Sequence, residues 1–322
     1  MEPEKDIAMT IENKPLLLGL EIGGSKLQLV AAASPTRIIR RQRLLVDRAA
    51  GAAAIQGHIK EALAKWAGTP WRAMGVGFGG PVDWQSGRIC CSHHVNGWND
   101  VDLRSWLEDL ISAPVAVDND TNLGALAEAR YGAGCGFNPV FYTNSGSGVG
   151  GGLIVDGQIY HGSPPGEAEF GHLRLAPGGP IVEDCCSGWA VDRKIREQCA
   201  RDPSSELARL VGRTSGGEAR HLGKALATGD ATAKRIFEEA VGHLSFALSH
   251  VVHLFHPAVI VLGGGLSLLG EPWRAGVAQT LPRHVMAAYQ PGPAVRLAAL
   301  GEDVVPVGAL VLAASLTKES NL

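Results

Sequence analysis

Short apolar runs broken by glycine, alternating with segments of helical period, organise the sequence. Leu16-Leu17-Leu18-Gly19-Leu20 reads as a buried strand, Gly23-Gly24 interrupts it, and Lys26 to Ala33 resumes as a second strand. The spacing predicts a helix over Ala49 to Trp66 and a buried strand over Met74 to Phe78 that ends in Gly79-Gly80-Pro81. Val101 to Leu110 is amphipathic, with Leu103, Trp106, Leu107 and Leu110 on one face. Pro114 to Val117 is a further strand, running through Asp118-Asn119-Asp120 into a helix over Thr121 to Tyr131.

The pattern then restarts. Pro139 to Thr143 is a strand, Ser145 to Gly148 a turn, and Gly151 to Val155 a strand that Asp156-Gly157 folds back onto Gln158 to Tyr160. Ser204 to Gly217 carries loop residues, and Gly212 to Gly217 reads as an ordinary loop. A long helix over Ala231 to His256 places Ile236, Ala240, Leu244, Leu248, Val251 and Phe255 on a buried face, with Pro257 as its stop. Val259 to Leu262 is a strand followed by Gly263-Gly264-Gly265, and a last helix runs from Val307 to Leu316 after Pro306. Leu18–Val30 and Tyr142–Ile154 share one plan: strand, glycine–serine turn, strand. The repeat implies two related halves facing one cleft.

Composition sharpens this. The chain has 322 residues, about two domains' worth, and 42 of them are glycine, nearly twice average usage. No Gly-X-Y period or Gly/Ser tract accompanies them, which excludes collagen and linkers. They cluster at strand ends, where bare backbone approaches a ligand or turns tightly. A net charge of −3 argues against a nucleic-acid surface. The basic run Arg37 to Arg43 reads as a solvated strand edge. No apolar run is long enough for a membrane span, and the charged start Met1 to Asp6, part of a loose polar segment, lacks a signal-peptide core. Six cysteines without a CxxC spacing fit reduced thiols and a cytoplasmic protein.

Two familiar phosphate motifs fail on context. Gly19 to Lys26 nearly fits GxxxxGK[ST], yet Ser25 and Lys26 stand in the wrong order and a strand follows. Gly146-x-Gly148-x-x-Gly151 fits GxGxxG, but the β-like Leu153-Ile154-Val155 after it offers no helix N-terminus to a pyrophosphate.

The segments instead resemble the ROK family of sugar kinases and sugar-responsive repressors. Leu20 to Lys26 is similar to its first phosphate motif, DxGGTK, and Gly75 to Asp83 to its GIGxPGxVD segment. Val117 to Asn122 resembles ENDxN, and Ser145 to Gly152 resembles the second phosphate motif, TGTGIGGG. Glu169-Phe170-Gly171-His172 matches ExGH, Glu183 with Ser187-Gly188 resembles LEAYASG, and Pro257 to Gly265 and Val307-Gly308-Ala309 match the later landmarks.

The resemblance implies an α/β, actin-like ATPase fold of two RNase H-like domains around a central cleft. Its boundaries fall at 1–117, completed by the helix 306–322, and 118–305. It implies transfer of the γ-phosphoryl group of ATP, with Mg²⁺, to a hydroxyl of a hexose, glucose or an N-acetylhexosamine first. Asp120 is the expected base, its bland alternative being the N-cap of the following helix. Asn119, Glu169, His172 and Glu183, with Ser92 and His94, are expected on the sugar. Gly23, Gly24, Ser25, Lys26, Gly146, Ser147 and Gly148 are expected at the phosphates, and Gly264 and Gly265 at the adenosine. A homodimer is implied by resemblance only.

Three departures bear on function. Glu21 replaces the family's Asp, moving the carboxylate by about a bond length, which is expected to alter the Mg²⁺ water shell or slow the reaction. Only ten residues, Leu173 to Val182, separate His172 from Glu183, with no CxCGxxGC among them; no structural zinc is expected, and His172 needs another orienting partner. The short stretch before the first strand holds no winged helix, which favours the kinase branch. The alternatives are a fructokinase or rarer-sugar kinase, and a non-catalytic sugar sensor.

Overall fold

Leu16–Ile22 (β1) is buried along its whole length and forms a hairpin with Lys26–Ser34 (β2). The computed structural model describes residues 14–24, 26–92, 95–166 and 168–317. Ser25 and His94, two of the expected site residues, lie outside the described residues, as does the polar start of the chain.

Arg37–Leu45 (β3) pairs antiparallel with β2, and Trp71–Phe78 (β4) runs parallel to β1. Three small strands follow, Val82–Asp83 (β5), Arg88–Ile89 (β6) and Val101–Asp102 (β7), which form a separate sheet that the sequence pattern did not show. Val115–Asn119 (β8) closes the main sheet in the order β3-β2-β1-β4-β8. Helix Gly51–Ala64 (α1) buries Ile55, Ile59 and Ala62, and Leu103–Ile111 (α2) buries Leu103, Leu107 and Ile111 at helical spacing. Asp102 starts α2 by accepting the Ser105 N–H at 3.1 Å.

Asp120–Tyr131 (α3) leaves the end of β8. The second sheet repeats the plan of the first. Val140–Ser145 (β9) and Val149–Val155 (β10) form a hairpin, and Gln158–Ile159 (β11), Val259–Gly263 (β12) and Ala294–Leu297 (β13) complete the order β11-β10-β9-β12-β13. In each sheet an antiparallel hairpin thus carries an edge strand beside its second strand and two parallel strands beyond its first. Asp156 and Gly157 both take positive φ, as the turn between β10 and β11 requires.

The stretch between β11 and β12 is more helical than its sequence suggests. Val182–Cys186 (α4), Gly188–Arg201 (α5), Glu206–Val211 (α6) and Leu222–Ala227 (α7) precede Ala231–Phe255 (α8), and Glu271–Thr280 (α9) lies between β12 and β13. Helix α6 falls within the expected loop 204–217; Ser205 caps it through the Ala208 N–H, and Leu207 and Val211 anchor it in the core. Ile236, Ala240, Leu244, Leu248 and Val251 of α8 are buried, each large side chain contributing roughly 1.5–3 kcal/mol. Phe255, expected among them, is exposed because the helix ends there and His256 turns with positive φ.

Two compact units result: Met1–Ala127, Ile159–Glu167 and Glu302–Leu322, and Glu128–Gln158 with Ala168–Gly301. The division expected at 117/118 instead falls inside α3. Leu123 of α3 packs against Gly77 and Gly308, where an added Cβ would meet it, so the first turns of the helix stay with the first sheet. Helix Val304–Ser315 (α10) belongs to that unit and presses on β1 and β4. A Cβ on Gly19 would lie 3.2 Å from the Pro306 carbonyl, and one on Gly75 would overlap the Ala309 carbonyl. These glycines serve helix–sheet contact rather than a ligand. Among the described residues no helix is long and apolar enough to cross a membrane.

Candidate active site

In the first unit the expected site gathers at the ends of β1, β4 and β8. Glu21 is buried near the end of β1, where Lys26 Nζ approaches its Oε1 at 3.1 Å and Gln28 Nε2 donates to its Oε2 at 3.0 Å. Burial raises the Glu21 pKa above the ordinary carboxylate value, while Lys26, Gln28 and Arg43 oppose the rise. Gly23 N–H donates to the Lys26 carbonyl at 2.9 Å to close the turn, and Arg48 Nε donates to the Gly24 carbonyl at 2.6 Å.

Asn119 ends β8, and its side chain does the capping. Oδ1 accepts the N–H groups of Thr121 at 2.8 Å and Asn122 at 3.3 Å, and Nδ2 donates to the Gly80 carbonyl at 3.2 Å. The bland reading of Asp120 therefore passes to its neighbour. Asp120 is the first residue of α3, and its carboxylate accepts from the Thr121 hydroxyl at 3.2 Å. Desolvation by the surrounding protein, and then the charge of Glu21, raise its pKa to about 7. A Cβ on Gly79 would stand 3.3 Å from Asp120 Oδ2 and 3.6 Å from the Gly23 Cα. A bare glycine is what lets the carboxylate and the Gly23–Gly24 turn lie so close.

Sequence reasoning missed the support beneath Asp120. Asp118 is buried, and its Oδ1 accepts from the Asn119 N–H at 2.8 Å and from Asn122 Nδ2 at 2.9 Å. Its Oδ2 meets His161 Nε2 at 2.6 Å, and the His161 ring stacks on Trp84 with centroids 4.2 Å apart. Asn122 Nδ2 also donates to the Gly166 carbonyl at 3.0 Å, so the segment after β11 returns to the start of α3. A lone histidine after a hairpin gives no sequence signal for this pairing. The acid two positions before Asp120 was the only pointer. Ser92 Oγ accepts the Val95 N–H at 3.2 Å.

The second unit holds the other expected residues. At the turn from β9 to β10, Gly146 N–H donates to the Gly148 carbonyl at 2.9 Å, and Gly188 N–H donates to the Gly146 carbonyl at 2.7 Å. Ser147 at its tip is exposed. Glu183, on α4, accepts the Val149 N–H on Oε2 at 2.9 Å, and a Cβ on Gly148 would overlap that oxygen. The structure thus places Glu183 on the turn from β9 to β10. Gly264, with positive φ, approaches Ser145 and Asn144 so closely that a side chain has no room; a Cβ on Gly265 would stand 3.9 Å from the Ser145 carbonyl oxygen.

Phe170 enters the core edge-on to Phe141, and Gly171 lies so near the Val149 carbonyl that a Cβ would overlap it. That anchoring leaves Glu169 and His172 exposed side by side, His172 Nδ1 on Glu169 Oε2 at 2.9 Å. Glu169 is the orienting partner that the sequence left unnamed. The loop Leu173 to Val182 closes on itself by backbone bonds, Val182 N–H to Leu173 O at 2.9 Å and Leu175 N–H to Pro180 O at 3.0 Å. It contains no cysteine, and among the described residues no group of three or more His, Cys, Asp or Glu side chains is placed to hold a metal.

Comparison with known proteins matches residues 17–315 to the sequence model of the ROK family. The chain is 28% identical over 307 residues to a glucokinase of Halalkalibacterium halodurans, covering 90% of this chain and 92% of that protein. It is 27% identical over 314 residues to a glucokinase of Thermotoga maritima, covering 94% and 97%. Among solved structures it is similar to a ROK family glucokinase from Streptomyces griseus in complex with glucose and AMPPNP, with a TM-score of 0.82, 28% identity, and 93% and 99% of the two chains covered.

Proposed function

Because the chain belongs to the ROK family and has its actin-like ATPase fold, we propose that it is a sugar kinase that transfers the γ-phosphoryl group of ATP to a hydroxyl of a hexose, with Asp120 as the base. Glucose and N-acetylhexosamines are the first acceptors to test. The observation that carries the reading is the state of Asp120. It is relieved of capping by Asn119, set beside the Gly23–Gly24 turn by Gly79, and given a proton affinity near neutrality.

Phosphoryl transfer asks the protein for positioning, charge and an acceptor for the hydroxyl proton. Asp120, deprotonated, takes that proton as the oxygen attacks phosphorus; a pKa near the working pH suits a group that must accept it and later release it. Asn119 retains a second amide hydrogen for a neighbouring hydroxyl. Glu169 and His172 supply an acceptor and an oriented ring for others. The Gly23–Gly24 and Gly146–Gly148 turns offer backbone N–H groups to phosphates.

ATP enters as its magnesium complex, and Mg²⁺ is in this reading part of the substrate. The absence of cysteine from Leu173 to Val182 supports a chain without structural zinc, which elemental analysis of the purified protein tests; one tightly held zinc per chain would contradict it. We place the protein in the cytoplasm, since none of its six cysteines stands in a CxxC spacing, and as a homodimer, on family resemblance; light scattering tests the latter. A coupled assay of ADP release over a panel of sugars tests the activity itself.

A further inference from the structure

The first phosphate turn is tied to the edge of its sheet by a row of side chains that crosses three strands. Glu21 on β1 stands directly opposite Gln28 on β2, and Gln28 directly opposite Arg43 on β3. Gln28 is buried at 1% exposure, and its amide oxygen accepts from both Arg41 Nη1 and Arg43 Nε at 2.7 Å. Its amide nitrogen donates to Glu21 Oε2 at 3.0 Å. The two arginines are held from outside: Arg41 Nη1 lies 2.6 Å from Asp303 Oδ1, and Arg43 Nη1 lies 2.9 Å from Glu302 Oε2.

Charge fixes the direction of this chain. Reversing the Gln28 amide would set its N–H groups against two guanidinium cations and its oxygen against a carboxylate. The arginines therefore oblige Gln28 to donate towards Glu21. With Lys26 on Oε1 and Gln28 on Oε2, both carboxylate oxygens are held. The extra methylene of Glu21 is what carries its carboxylate out to these partners, so the departure from the family's aspartate and the glutamine seven residues later form one device. A charged edge strand alone needs no buried glutamine and no contact with the phosphate turn.

We propose that Gln28, oriented by Arg41 and Arg43, is a positioning residue that fixes the Glu21 carboxylate at the first phosphate turn and thereby sets the reactive placement of the nucleotide. The inference rests on the kinase reading, and its test separates the two. Gln28→Glu keeps the oxygen that the arginines need and removes the donor to Glu21; Gln28→Leu removes both. Each is expected to lower kcat about tenfold and raise the KM for ATP several-fold, leaving the KM for sugar unchanged. In a Glu21→Asp background, Gln28→Leu is expected to add less than about twofold, since the shorter acid no longer reaches it.

If Gln28→Leu fails to fold, Gln28→Glu decides. Variants that keep kcat and the ATP KM within twofold of the parent, that raise the sugar KM equally, or that act undiminished beside Glu21→Asp overturn the proposal. Should the parent phosphorylate no sugar, the kinase reading falls, and the dissociation constant for magnesium ATP, expected to rise several-fold in Gln28→Glu, still upholds or overturns the positioning role.

Discussion

The side-chain oxygen of Asn119 accepts the backbone N–H of Thr121 at 2.8 Å, so the helix carrying Asp120, the proposed base, is capped by the residue before it. The acid is thereby left for chemistry. Asp120→Asn is expected to lower ATP-dependent phosphorylation by about 10²–10⁴-fold while hexose affinity survives. Steady-state kinetics and calorimetric titration of the sugar check both halves, and unchanged turnover removes Asp120 from the mechanism.

The same aspartate predicts a pH profile. Its pKa stands at about 7, so kcat/KM is expected to rise through that pH as the base loses its proton. Glu21 contributes to the upward shift through its charge, so Glu21→Gln is expected to move the acid limb to lower pH. A limb that stays in place in that variant contradicts the coupling.

Stability follows by linkage. Folding raises the Asp120 pKa from an ordinary 3.8, so the folded chain holds the proton more tightly than the unfolded chain between that value and about 7. Its contribution favours folding fully below the unfolded pKa and is lost as the pH rises through the folded one. Asp120→Asn should match the parent in stability near pH 4 and exceed it near pH 8, as denaturant titrations at the two pH values would show.

Glu183 separates two roles for one carboxylate. Its bond to the Val149 N–H holds it at the β9–β10 turn, which we propose meets the phosphates, whereas family resemblance puts it on the sugar. Glu183→Ala is expected to raise the KM for ATP about tenfold, with a smaller change in the sugar KM. A rise confined to the sugar restores the original expectation.

His161 holds the second oxygen of buried Asp118. His161→Ala is expected to cost about 2 kcal/mol of stability by leaving that carboxylate short of a partner, and to change the emission of Trp84, which loses its stacked ring. Denaturation followed by tryptophan fluorescence reads both effects.

Much of this was legible in the sequence, and the rest was hidden for physical reasons. The strand–turn–strand repeat at Leu18–Val30 and Tyr142–Ile154 announced two sheets of the same order, because buried strands and glycine turns leave strong local patterns. Helices α4 to α7 left weaker ones, being short and partly exposed. Gly75 and Gly79 look alike in sequence, yet one admits a helix and the other Asp120; only the packing separates them. The His161–Asp118 pair joins residues 43 apart, a distance no periodicity reports. Arg41 and Arg43 read as a solvated edge, which β3 is, but the buried Gln28 beneath them turns two of its cations inward.

The central claim is that Asp120 drives phosphoryl transfer from ATP to a hexose. A coupled ADP-release assay over a sugar panel, run on the parent and on Asp120→Asn, addresses it directly. The account predicts ATP-dependent turnover of at least one hexose by the parent and its loss in the variant. A parent that binds ATP and sugar yet releases no ADP, or a variant that turns over at the parent's rate, would contradict it.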